Sequence, residues 1–173
     1  MRCVLKPRKS IGTHSPANIP YVIIGTGLLW FGWFGFNAGS AVGAGSLGVY
    51  AFATTNTAAA AAGFILDVPG CISWNKTFST WILYWRSSGL VAVTPAAGFV
   101  GVPQALFIGF IAAIVSNLVA EFLKHKTKLD DPLDVFACHG LGGITGMLLT
   151  GVFSMVKPGE NSIISNSISD TAL

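Results

Sequence analysis

Charge is scarce in this sequence. Ten Lys and Arg and seven Asp and Glu are spread over 173 residues, 10% of the chain, where a soluble domain carries about 25%. Between positions 10 and 66 there is none. With 52% hydrophobic residues and a mean hydropathy of +0.65 over the chain, this excludes a water-soluble globule and a disordered chain and calls for a bilayer. Cysteine is equally sparse. Cys3, Cys71 and Cys138 lie far apart with no C-x-x-C, which argues against a disulfide framework or a zinc site. The sequence shows neither a Ser/His/Asp constellation nor a metal-ligand cluster, so no enzyme, metal or cofactor is expected. Gly25-Thr-Gly27 lies inside an apolar stretch with no strand before it and is not a nucleotide loop. No cleavable signal is evident, because the first apolar stretch begins near residue 19 and is long enough to span.

What is present is a series of apolar stretches. A span needs about 20 apolar residues, and five are read at about 19–41, 46–66, 78–99, 103–123 and 132–154. Residues 1–18 form a cytoplasmic N-terminal segment in this reading, 19–154 the membrane domain, and 155–173 a Ser/Asn-rich disordered tail. The expected fold is all-α, a polytopic transmembrane helix bundle. The net charge of +3 is no nucleic-acid signal, because its placement encodes topology. Arg2, Lys6, Arg8 and Lys9 precede the first span, Lys76 follows the second, and Lys124, Lys126 and Lys128 follow the fourth. These segments share one side, the other side carrying only Lys157, so the positive-inside rule makes the N-terminus cytoplasmic. Gly35-x-x-x-Gly39, Gly39-x-x-x-Gly43 and Gly142-x-x-x-Gly146 predict close helix contacts in lipid. Asn56-Thr57 followed by five alanines suits a helix packed among others.

Few side chains in these spans can do chemistry. Trp33, Phe36 and Ser40 share one helical face near the outer end of the first span. Aromatic faces attract a partly desolvated cation, and a hydroxyl can accept from an ammonium group; an interfacial aromatic belt is the competing reading. His139 is the ionisable side chain well inside the fifth span. Such a group is by default a functional candidate, and a neutral imidazole offers one donor and one acceptor to a small polar solute such as ammonia. A core histidine bonded to a carbonyl is the competing reading there. His14 and His125 fall in polar loops and read as solvated. Asp131 fits an N-cap, Pro132 the first helical position and Asp134 the third, so these acids read as helix-start residues. Pro103 similarly opens the fourth span, and Pro95 should break the end of the third helix. Asn75-Lys-Thr77 is a formal glycosylation sequon, on the cytoplasmic side by the charge rule.

Three stretches in order resemble one family: Leu29-Trp-Phe-Gly-Trp33-Phe-Gly-Phe36-Asn37-Ala-Gly-Ser40, then Val93-Thr-Pro-Ala-Ala-Gly98, then Asp130-Asp-Pro-Leu-Asp134-Val-Phe-Ala-Cys-His139-Gly. They are similar to the ammonium transporter (Amt/MEP/Rh) family over about residues 5–155. The resemblance implies a homotrimer of eleven-helix subunits, each with its own narrow pore built from two inverted five-helix repeats, in the plasma membrane. This chain resembles the second repeat. Inverted repeats place the transport path at their interface. By motif position, Phe36 resembles one of two stacked gate phenylalanines, Ser40 the hydroxyl of the outer recruitment site, Trp33 a neighbouring aromatic, and His139 the second of two pore histidines. The implied substrate is ammonium or ammonia. The family's first histidine, partner phenylalanine, recruitment tryptophan and essential aspartate belong to the first repeat. Half a pore would expose its polar lining to lipid, so this chain is expected not to conduct alone. The alternative is a non-conducting interaction or sensor protein that pairs with full-length transporter subunits.

One stretch departs from the family. Before Gly89-Leu-Val the family has a small-residue helix resembling G-x-x-P-S-x-L-G-x-x-x-G-A-x-x-G. Here Trp81, Tyr84, Trp85 and Arg86 occupy the third span, and a charge there costs about 3 kcal/mol. Codons exist for residues 74–89 that, read one base later, spell G-I-R-P-S-V-L-G-F-C-I-G-A-V-A-G and fit the family pattern. Resequencing the DNA is expected to find that out-of-frame stretch. An intact frame with other codons at those sites would rule it out.

Overall fold

Asn18 opens the first helix. Its carboxamide oxygen accepts from the Tyr21 amide at 3.4 Å, the N-cap bond that satisfies one orphan donor, and Pro20 sits in the first turn, where its missing N–H is no loss. Helix α1 (Ile19–Asn37) then rises roughly 28 Å at 1.5 Å per residue. A short 3₁₀ turn at Gly39–Ala41 and a left-handed Val42, with φ 53°, turn the chain back into α2 (Ser46–Ile72). The structure is a computed structural model describing residues 18–72, 87–126 and 134–155.

Helix α3 is described over residues 87–93 and gives way to turns over 94–99. The amides of Thr94, Ala96 and Phe99 bond three residues back, to Val91, Val93 and Ala96. Pro95 and Gly98, whose φ is 83°, account for that ending, so the third helix stops short of residue 99 as read from hydropathy. Helix α4 (Val102–Lys126) begins with Pro103 in its first turn, as expected. A π-helix, Phe136–Leu141, leads into α5 (Gly142–Met155). The fold is all-α. Ile19–Ala41, Val102–Leu123 and Phe136–Phe153 are long and apolar enough to cross a membrane.

Other boundaries move as well. Helix α2 continues past Leu66 to Ile72 and α4 past Leu123 to Lys126, because helical hydrogen bonding does not stop where the apolar stretch does. Asp134 is not the third helical residue. Its φ of 50° is incompatible with a right-handed helix, and the helix begins at Val135. The Asp134 carbonyl accepts from the Cys138 amide at 2.9 Å, which puts Asp134 in the capping position. Asp131, Pro132, His14, the His125 side chain, the sequon and the stretch around Arg86 lie outside the described residues.

The core is made of small residues. Ala58, Ala92, Val93, Ala96, Val100, Ala105, Ile108 and Ala112 form one buried cluster across α2, α3 and α4, with Leu149 and Phe153 of α5 packed on it. The Phe153 ring meets Phe107 edge to face at 5.9 Å. The alanine run of α2 is half-buried as an amphipathic face: Ala58, Ala59 and Ala62 are fully buried while Asn56 is exposed. The glycines that let helices touch are only partly those expected. A Cβ on Gly35 or Gly39 would meet nothing within 4 Å, since both lie on the open side of α1 and its following turn. A Cβ on Gly89 would stand 2.6 Å from the Ala58 carbonyl oxygen, on Gly109 it would run into the Ala58 backbone, and on Gly146 into that of Ala92. In lipid, where apolar side chains gain little by leaving the solvent, such backbone approach is what holds helices together. Gly109→Ala and Gly146→Ala should each destabilise the bundle by about 1–3 kcal/mol. Gly143→Ala, whose Cβ would find only Val91 at 3.9 Å, should change little, as read from SDS-induced unfolding of the detergent-solubilised chain.

Candidate functional site

The Leu29–Ser40 stretch is helical up to Asn37 and presents Trp33 and Phe36 one turn apart. Their rings are 5.7 Å apart, tilted by 58°. Across from them, the His139 ring lies 6.5 Å from that of Trp33 at an angle of 38°. Two residues separated by more than a hundred positions are therefore brought together, and His139 and Phe36 remain exposed on this side of the chain. Ser40 follows one turn beyond Phe36, exposed, with its hydroxyl donating to the Phe36 carbonyl at 2.5 Å. Its lone pairs stay available as acceptors.

His139 sits within the π-helix, where the Gly142 amide is shared between the carbonyls of Ala137 and His139. Such widened turns occur often at functional sites. Beneath it, Ala137 and Cys138 are buried against Val119 and Ala120 of α4. This fixes the strip from which the imidazole projects.

Trp33 is held from a third direction. Its indole N–H donates to Thr94 Oγ1 at 2.9 Å, and the Thr94 hydroxyl donates in turn to the Leu90 carbonyl at 2.8 Å. One residue past Phe36, Asn37 is buried and its amide donates to Thr55 Oγ1 at 3.0 Å. Neither Thr94 nor the Asn37–Thr55 pair is identifiable from spacing. The available signal was chemical: an indole N–H or a carboxamide inside a span needs a partner. A shallow depression of about 360 Å³ also opens beside the turn after α1, walled by Gly43, Gly45, Gly48 and Phe52. It is apolar and contains none of the predicted site residues. Among the described residues, no three His, Cys, Asp or Glu side chains gather as metal ligands would.

Residues 1–172 match the sequence profile of the Ammonium Transporter Family. The chain belongs to that family. It is 47% identical over 139 residues to the ammonium transporter Amt1 of Archaeoglobus fulgidus, covering 80% of this chain and 35% of that protein. To the ammonium transporter of Bacillus subtilis it is 44% identical over 156 residues, 87% of this chain and 37% of the relative. The crystal structure of Saccharomyces cerevisiae Mep2 superposes with a TM-score of 0.74 at 33% identity, covering 88% of this chain and 36% of Mep2. This member of the ammonium transporter family thus spans about a third of the length of the curated relatives it matches. It is an integral membrane protein, and the relatives are named as transporters, not enzymes.

The Asn37 bond is testable on its own. Asn37→Ala should lower stability by about 1 kcal/mol, read by the same SDS unfolding. Thr55→Ser, which keeps the accepting hydroxyl, should lower it less.

Proposed function

We propose that this chain forms the side of an ammonium-conducting path lined by Trp33, Phe36, Ser40 and His139. The observation that carries the proposal is the meeting of the Trp33 ring with both Phe36 and His139. In this reading the outer aromatics and the Ser40 hydroxyl recruit the cation through π-faces and an oxygen acceptor. Ammonium then returns a proton to the water at the outer mouth, because an ion is costly in a dry path, and crosses as ammonia past an imidazole that can both donate and accept. Potassium has no proton to lose and is excluded. Asp131 and Asp134 serve the start of the last helix and touch no solute. The membrane domain covers 19–154 between a cytoplasmic segment at 1–18 and a polar tail at 155–173, in the plasma membrane with the N-terminus inside.

The path needs a second wall. Phe36 and His139 face outward from this chain, and the part of the relatives that the chain does not span would supply the facing surface, within a homotrimer as the family resemblance implies. None of the most apolar stretch of α1 is buried, against 33% for α4 and 22% for α5. That bare helix is what favours the second reading, a non-conducting partner of full-length transporter subunits. Co-purification with such a subunit, without any gain of flux, would decide for it.

Reconstituted alone in vesicles, the 173-residue chain should show no ammonium-dependent flux. Reconstituted with the first repeat of a relative, it should show flux that excludes potassium. His139→Leu, which removes both hydrogen-bonding functions, should lower that flux by about tenfold, equivalent to about 1.4 kcal/mol of barrier. Ammonium-selective flux by the chain alone would overturn the requirement for a second wall. Unchanged flux in the His139 variant would remove His139 from the path.

A further inference from the structure

We infer that Thr94 is a positioning residue for Trp33, taking up the indole N–H so that the ring offers the path a π-face and no donor. The inference rests on Trp33 lining the path as proposed above. Three bonds in series carry it. The indole has a single N–H and no acceptor, and that N–H is spent on Thr94 Oγ1 at 2.9 Å. The Thr94 hydroxyl hydrogen is itself spent on the Leu90 carbonyl four residues back, at 2.8 Å, so the oxygen can meet Trp33 only as an acceptor. That carbonyl belongs to a fully buried residue of α3, which anchors the series in the core.

The chemistry explains why the arrangement matters. The edge of an indole is electropositive and its face negative. A bare N–H would repel an arriving cation. It would equally hold neutral ammonia, whose lone pair accepts a hydrogen bond, and so create a resting place in a path that must release its solute. Thr94 removes both faults while the ring keeps its places 5.7 Å from Phe36 and 6.5 Å from His139. Thr94 stands immediately after the last residue of α3, before the chain turns at Pro95, and its hydroxyl stays against the end of that helix through the bond back to Leu90.

The test has a spectroscopic arm that requires no transport. In the whole chain in lipid nanodiscs, the Trp33 indole proton is assigned by its loss in Trp33→Phe. Its exchange with solvent should quicken about tenfold in Thr94→Val and in the smaller Thr94→Ala, and stay near the wild-type rate in Thr94→Ser, the size expected for one net hydrogen bond. The indole proton of Trp30, the other tryptophan among the described residues, reports whether the fold has changed. Unaltered exchange in both Thr94→Val and Thr94→Ala would overturn the inference. The second arm uses the conducting assembly: Thr94→Val should lower ammonium flux several-fold, Thr94→Ser should restore it, and in a Trp33→Phe background neither should matter. Faster exchange with unchanged flux would also overturn it. If the wild-type assembly carries no ammonium, the transport reading fails, and indole exchange still decides whether Thr94 holds Trp33.

Discussion

Everything else in the structure depends on how near the backbone of Ala58 comes to Gly89 and Gly109. At both positions a single added carbon would collide with Ala58, so α3 and α4 each approach α2 backbone to backbone at this residue. In a bilayer no solvent drives such helices together, and the many short contacts of facing backbones must do so. Once they are at this distance, the end of α3 lies where Thr94 can reach Trp33. The approach of Gly146 to Ala92 then sets α5 beside α3 and carries His139 to the same place. The site is a consequence of alanine and glycine more than of its own residues.

Polar groups divide the remaining work. Thr26, Thr57 and Thr150 each return the hydroxyl hydrogen to a carbonyl of their own helix, a local arrangement that asks nothing of a neighbour. A few others cross between helices. Ser88 and Ser116 join α3 to α4 at 2.5 Å in a fully buried contact, with Gly142 of α5 packed over them. Helix α1, which has almost no buried face, is attached through Trp33–Thr94, Asn37–Thr55 and the stacking of Phe34 on Phe52 at 4.0 Å. Polar bonds and one aromatic stack therefore fix the helix that bears the aromatics, while backbone closeness, aided by the Ser88–Ser116 bond, fixes the rest.

Much of this was legible in the residues. Long uncharged stretches separated by Pro and Gly gave the helices and their order, and a histidine isolated in an apolar span pointed to itself. Helical periodicity places Trp33 and Phe36 one turn apart on α1, but Ser40 lies past the end of that helix, in the 3₁₀ turn, where the 3.6-residue repeat no longer holds. What could not be read was mutual depth. Hydropathy marks where lipid begins, not where hydrogen bonding ends, so α2 and α4 run longer than their apolar stretches. The glycine spacing at 35, 39 and 43 is the same as that at 142 and 146, yet only the latter pair lies against another helix, because periodicity within one helix carries no information on which face a neighbour occupies. Thr94 was hidden for the same reason: its partner is 61 residues away.

The π-helix at Phe136–Leu141 gives the last span two independent orientations. An α-helix advances about 100° per residue, so a strip facing Trp33 near its start and a strip facing away from α3 farther on would be locked to one another by the 3.6-residue repeat. The widened turn accommodates an additional residue between them. His139 can then be aimed at Trp33 while Gly146 stays against Ala92 and Met147, Leu148 and Val152 stay turned outward. Shortening that turn by one residue would force a choice between the two, swinging either the imidazole out of line with Trp33 or the glycine away from α3. The span thus behaves as two short rods joined at a fixed rotation, one set by the contact with Trp33 and the other by the packing on Ala92.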